Sequence, residues 1–168
     1  VMIANEPETA LLAGEIVKYL PATQRLPIFS HWGLTGGDTI GLSNRAILQL
    51  DISFVQTFNF LSAKGPAATN IAARAAKLLD LDNIHAFPAQ VGIAHSYDLM
   101  MMIGTAMQPL SVISGPAVVK AMAGIQSYQG IIKRYTAPFS RGNRDALSEN
   151  DVFFCRYAAN GEIRPEPL

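Results

Sequence analysis

Runs of apolar residues along this chain switch between a strand-like and a helix-like spacing, and the switches mark its elements. Val1-Met2-Ile3-Ala4 is unbroken and apolar, as expected of a parallel strand covered on both faces. Asn5-Glu6-Pro7-Glu8 then supplies a capping residue, a proline in the first turn and an acidic residue three places after the cap. The helix it starts is expected to reach Leu20, with Ala13, Ile16, Val17 and Leu20 on one face, before Pro21 stops it. Residues 26–29 read as a second strand, 30–38 as a glycine-rich turn, 38–48 as a short helical stretch, and 51–58 as a third strand rich in β-branched and aromatic residues. This order predicts α/β winding on a parallel sheet.

The spacing changes after Phe60. Lys64-Gly65-Pro66 breaks the chain, and 67–81 is an alanine-rich helix whose last turns carry Leu78, Leu79 and Leu81. A second helix, 89–108, starts beyond Pro88 and is apolar nearly all round, which predicts a central, enclosed position. Pro109 ends it, and 116–126 makes a third helix. Residues 130–135 read as a strand, 140–150 as a polar loop and 152–157 as another strand, with Asn160-Gly161 a tight hairpin turn into Ile163 and Arg164. No internal repeat or low-complexity tract interrupts this order.

Composition narrows the function classes. The 168 residues suffice for one core of ordinary size. Thirteen basic and thirteen acidic residues cancel, leaving no charge footprint for nucleic acid or an anionic membrane. Charged residues are only 15% and apolar classes 49%, which excludes wholesale disorder. The mean hydropathy of +0.20 is high for a chain without a membrane span, so some apolar surface is expected to lie against something else. The longest apolar run, 99–107, falls far short of the roughly 20 residues a bilayer requires, and His95 and Asp98 interrupt the longer stretch. Cys155, among Phe153, Phe154 and Tyr157, reads as a buried apolar thiol that staples nothing. No signal-peptide pattern is present and the opening reads as the middle of a strand, so a piece of a longer protein is expected.

Ligands of open α/β sheets bind outside the carboxyl ends of the strands. Two such ends are legible, Asn5-Glu6 and Ser30-His31-Trp32-Gly33, and both should lie on one rim. Gly33, Gly36 and Gly37 allow close backbone approach and free amide N–H groups, Trp32 offers a flat apolar face, and His31, Ser30 and Asn5 offer hydrogen bonds. The alternative is that the glycines only shape a turn and Trp32 packs on the next helix. The turn lacks G-x-x-x-x-G-K-[ST], and no G-x-G-x-x-G follows a strand. Ser30, His31 and Asp38 lack the G-x-S-x-G elbow of a hydrolase, and adjacent Ser and His on a strand end point apart. His31, His85 and His95 have no metal-ligand spacing. No catalytic residue, metal or cofactor is therefore expected. In the long helix, Tyr97 faces Ile93 and Met101 as core, Asp98 is expected to cap or to pair with an arginine such as Arg74, and Met100-Met101-Met102 is adaptable packing.

Three stretches carry a family resemblance: Leu26-Pro-Ile-Phe-Ser-His-Trp-Gly-Leu-Thr-Gly-Gly-Asp38, Phe54-Val-Gln-Thr-Phe58, and Pro88-Ala-Gln-Val-Gly-Ile-Ala-His-Ser-Tyr-Asp98. With Asp145-Ala-Leu, Asp151-Val-Phe-Phe-Cys-Arg-Tyr157 and Asn160-Gly161, their order resembles the C-terminal half of the type I periplasmic solute-binding proteins, the branched-chain amino acid binding family of ABC transporters. The resemblance implies an incomplete α/β fold: residues 1–58 from lobe two, 59–138 returning to lobe one, and 139–168 the crossover and terminal β-hairpin of lobe two. It implies an extracytoplasmic, periplasmic subunit of an importer that captures a small organic acid or a branched-chain or hydrophobic amino acid without catalysis. Asn5, Glu6, Ser30, His31, Trp32 and Gly33 would touch that ligand, an ABC permease would be the partner, nucleic acid would not, and exposed inter-lobe surface would favour self-association. Family members that bind amino acids often place an acidic residue at the second strand end, where this chain reads Ser-His-Trp-Gly, which points to an organic acid that is not an amino acid. A sensory binding protein of the same fold is the alternative function, with an α/β enzyme the third.

Overall fold

Short strands interleaved with helices build the structure, a computed structural model that describes residues 1–81 and 88–166. His85 thus lies outside the described residues. Contacts divide the chain into two compact units, residues 1–92 with 152–168, and residues 93–151.

In the first unit, α1 (Glu6–Tyr19) begins as its start signal predicts, with Pro7 in the first turn and Glu6 and Glu8 complementing the helix dipole. Two strands, β1 (Ile28–Ser30) and β2 (Ile52–Gln56), pair in parallel with Ile28 opposite Ile52. Between them the glycine turn coils into a 3-10 segment, Trp32–Thr35, then α2 (Thr39–Leu42) and a second 3-10 segment, Ala46–Gln49. α3 (Pro66–Leu79) buries Ala68, Ala72 and Ala76, four residues apart on one face. Further along the chain come α4 (Gln90–Met107), α5 (Gly115–Ala123), β3 (Ser127–Gln129), β4 (Arg134–Thr136), β5 (Phe153–Tyr157) and β6 (Ile163–Pro165).

The sheet is mixed. Its order is β1-β2-β5-β6, with β5 antiparallel to β2 and β6 antiparallel to β5. Asn160-Gly161 does form the turn of the last hairpin, and Gly161 takes the positive φ of 91° that favours glycine there. Ile52, Phe54, Cys155 and Ile163 on one face of the sheet join Ala13, Leu34, Ala46 and Ile47 in a single core. The opposite face carries Phe29 edge-on to Phe154, with ring centroids 6.1 Å apart.

Residues 1–4 do not form the expected strand. Met2 N–H donates to the Phe29 carbonyl at 2.8 Å, and one such bond does not make a ladder. The terminal hairpin is held to the segment that follows β2 by Asn59, whose amide donates to the Ile163 carbonyl at 2.8 Å while its oxygen accepts from the Leu61 N–H at 2.8 Å.

The long helix α4, which begins in the first unit and runs on into the second, is not enclosed all round. Val91, Ala94, Asp98, Met102 and Ala106 form a buried stripe at three- and four-residue spacing, whereas Leu99, Met100 and Met101 are exposed. The expected strand over 130–135 is instead the turn and second arm of a hairpin, β3 pairing with β4. The physical reason is Asp98, which accepts the N–H groups of Ile131 and Ile132 at 2.7 and 3.1 Å and so withholds them from any ladder. It also accepts the Tyr135 hydroxyl at 3.0 Å, so its charge is met by backbone and phenol donors and not by Arg74.

Candidate functional site

Two chain segments meet at the carboxyl end of β1. His31 caps the 3-10 segment that follows: its ring Nδ1 accepts the Gly33 N–H at 3.0 Å, which leaves the ring proton on Nε2. The Thr35 hydroxyl closes the same turn on the Trp32 carbonyl at 2.7 Å. Asn5, at the N-cap of α1, makes no side-chain capping bond. Its Oδ1 lies 2.8 Å from where a Cβ on Gly33 would stand, and the His31 ring is closer still. Only glycine leaves room there, and the crowding brings Asn5, His31 and Gly33 together on one rim.

Glu6 extends that rim. Its Oε1 lies 2.6 Å from the place a Cβ on Gly37 would occupy, so the start of α1 delivers a carboxylate to the glycine turn after β1. Asp38 follows Gly37 in the same turn, and one of its carboxylate oxygens accepts the Gly41 N–H at 2.8 Å. Burial pushes the Tyr157 phenol up, the Thr39 side chain opposes this, and the carboxylates of Asp38 and Glu6 raise it further. The segments 5–6 and 30–38 bring two carboxylates, Glu6 and Asp38, and no lysine or arginine to this rim. A cavity of about 240 Å³ lies next to it, lined by Thr35, Asp38, Thr39 and Tyr157 among others.

Trp32 remains 47% exposed, so its indole face is available rather than consumed by packing. Ser30 behaves differently. It is buried in the sheet opposite Phe54, and its hydroxyl has no hydrogen-bond partner among the described residues. His31 Nδ1 is taken by Gly33, Ser30 does not bond to it, and Asp38 serves α2, so a Ser-His-Asp relay is not assembled. Among the described residues, no group of three or more His, Cys, Asp or Glu side chains could hold a metal ion.

Behind the turn lie residues that the sequence patterns did not single out. Gln56 Nε2 donates to the Thr35 hydroxyl at 3.3 Å, while Gln56 Oε1 is buried without a partner among the described residues. Gln90 accepts the Phe60 N–H at 2.8 Å, and its Nε2 is likewise buried and has no partner among the described residues. A glutamine inside an otherwise apolar strand and another opening an apolar helix were the available signals.

No protein-family model and no curated protein sequence matches the chain. Solved structures do. A periplasmic binding protein type 1 from Bordetella pertussis superposes with a TM-score of 0.73 at 18% identity, over 99% of this chain and 45% of that one. The fold is that of part of a type I periplasmic binding protein. The leucine-binding protein LivK of Thermotoga maritima gives a TM-score of 0.69 at 15% identity, covering 98% of this chain and 42% of its own. The branched-chain amino acid binding protein LivJ of Streptococcus pneumoniae, solved with isoleucine, gives 0.71 at 13% identity, with 99% and 43% covered. The chain therefore spans less than half the length of these type I binding proteins. Its structural neighbours are binding proteins rather than enzymes. Among the described residues, no helix is long and apolar enough to cross a membrane.

Proposed function

We propose that this chain belongs to the extracytoplasmic, periplasmic solute-binding subunit of an ABC importer and contributes one wall of its ligand cleft. Asn5, Glu6, Trp32 and Gly33, with the His31 Nε2–H, form the contact rim, and Ser30 supports it from inside the sheet. The observation that carries the reading is the convergence of Asn5 and Glu6 with the glycine turn at the carboxyl end of β1, where α/β sheets bind ligands. Capture needs no chemistry: a ligand favours the closed state by its differential affinity for closed over open, and the closed protein engages a permease.

The ligand class follows from charge. A simple organic acid would meet the carboxylates of Glu6 and Asp38, whereas an ammonium group would find both a carboxylate and the Trp32 face. A small hydrophobic amino acid fits this acidic, aromatic rim better than the non-amino-acid acid expected from the strand-end sequence alone. The structural neighbours include amino acid binding proteins, LivK and LivJ, and a fatty acid binding protein, so the choice rests on the rim's own groups.

Mass spectrometry of small molecules co-purified with the protein tests the reading directly, and a hydrophobic amino acid is the expected find. By calorimetry, Trp32→Ala should weaken its binding by about 1–3 kcal/mol, the scale of losing a buried aromatic contact. Glu6→Gln should weaken the amino acid but not its deaminated analogue. Turnover of the bound compound, or unchanged affinity in both variants, would remove this site.

A further inference from the structure

We propose that the unit formed by residues 93–151 carries a second binding site, for an amphiphile with an alkyl chain and a carboxylate head. The bed of this site is apolar and built by helical spacing. Leu99 and Ile103 stand one turn apart on α4, Val119 and Met122 three residues apart on α5, and Phe139 flanks them. Together they border a cleft of about 650 Å³, within the range of small-molecule sites. Leu99 and Val119 remain 44% and 58% exposed, so the bed is open.

Its charge selects the occupant. Lys120, Arg141 and Arg144 border the same cleft. Among the described residues, none of the three has a carboxylate within ion-pair distance, whereas Lys133, Arg156 and Arg164 are each paired. Long cationic stems lie along apolar surface while their heads stay at the water boundary. Two guanidinium groups present planar forks that match a carboxylate's two oxygens. An apolar bed edged by unpaired cations complements one molecule: a hydrocarbon tail ending in a carboxylate.

Calorimetry of the protein with sodium decanoate, below its micelle concentration, tests this. Decanoate is expected to bind, and affinity should fall roughly fourfold for each methylene removed on going to octanoate. Decanol, lacking the charge, should bind on the order of tenfold more weakly. Arg141→Glu with Arg144→Glu should weaken decanoate by on the order of tenfold or more, as should Val119→Asp at an exposed position of the bed. Trp32→Ala should leave decanoate binding unchanged, which separates this site from the strand-end rim. The proposal is overturned if decanoate does not bind, if decanol binds as tightly, if the arginine reversals have no effect, or if Trp32→Ala abolishes binding. Binding to anionic phospholipid vesicles without binding of monomeric decanoate would overturn it as well.

Discussion

The Asp98 carboxylate accepts the Ile131 backbone N–H at 2.7 Å across 33 residues of chain. Its second oxygen takes the Ile132 N–H and the Tyr135 hydroxyl, so one buried charge on α4 holds the turn and one arm of the β3–β4 hairpin. A Cβ on Gly130 would collide with the same carboxylate, which makes glycine part of the clasp. Asp98→Ala, leaving three donors unmet, is expected to cost about 3 kcal/mol in urea unfolding. Gly130→Ala should cost about 1–3 kcal/mol through overpacking. The two effects should couple: in the Asp98→Ala background most of the Gly130→Ala penalty should vanish. Equal Gly130→Ala penalties in both backgrounds would show that the carboxylate is not the obstacle.

Asn59 plays the matching role in the other unit, bonding the Ile163 carbonyl and the Leu61 and Ser62 N–H groups from a fully buried position. Asn59→Ala should destabilise by about 1–3 kcal/mol, while Asn59→Asp should also be harmful because its carboxylate cannot donate to Ile163. Denaturant midpoints at neutral pH provide the measurement.

Cys155 is completely buried in the core of the sheet, and burial, with a smaller contribution from Glu166, pushes its thiol up to about 12. At pH 8 a thiol reagent should label the native protein on the order of a hundredfold more slowly than a free cysteine, with full reactivity restored in denaturant. Rapid labelling without unfolding would contradict the packing of β5.

Glu166 accepts the Ser53 hydroxyl at 2.6 Å and the Arg156 guanidinium at 2.8 Å. The Ser53 bond leads and Arg156 adds to it, and together they overcome burial and hold the carboxyl below the ordinary glutamate value of 4.5. The folded state thus binds this proton more weakly than the unfolded chain. Its stabilisation is present above pH 4.5 and is lost as pH falls from there through the folded value. Glu166→Gln should flatten the acid limb of the stability profile, and an unaltered limb would rule the residue out as its source.

Local patterns in the sequence were enough for elements whose cause is local. Pro7 with Glu6 and Glu8 specified the start of α1, Gly65-Pro66 the start of α3, and Asn160-Gly161 the last turn, because the proline ring, the helix dipole and positive φ act within a few residues, although the capping bond expected of Asn5 is not made. The apolar setting of Cys155 was legible for the same reason. Tertiary structure decided the rest. Period alone could not reveal that Asp98 would capture the N–H groups of Ile131 and Ile132 and turn an expected strand into a hairpin, because those partners lie more than thirty residues away. Asn5-Glu6 and the glycine turn were expected on one rim, but only the folded chain sets how closely they meet, with the Glu6 carboxylate 2.6 Å from the place a Cβ on Gly37 would occupy. The charge of the candidate site is a sum over neighbours in space, and only the folded chain defines those neighbours.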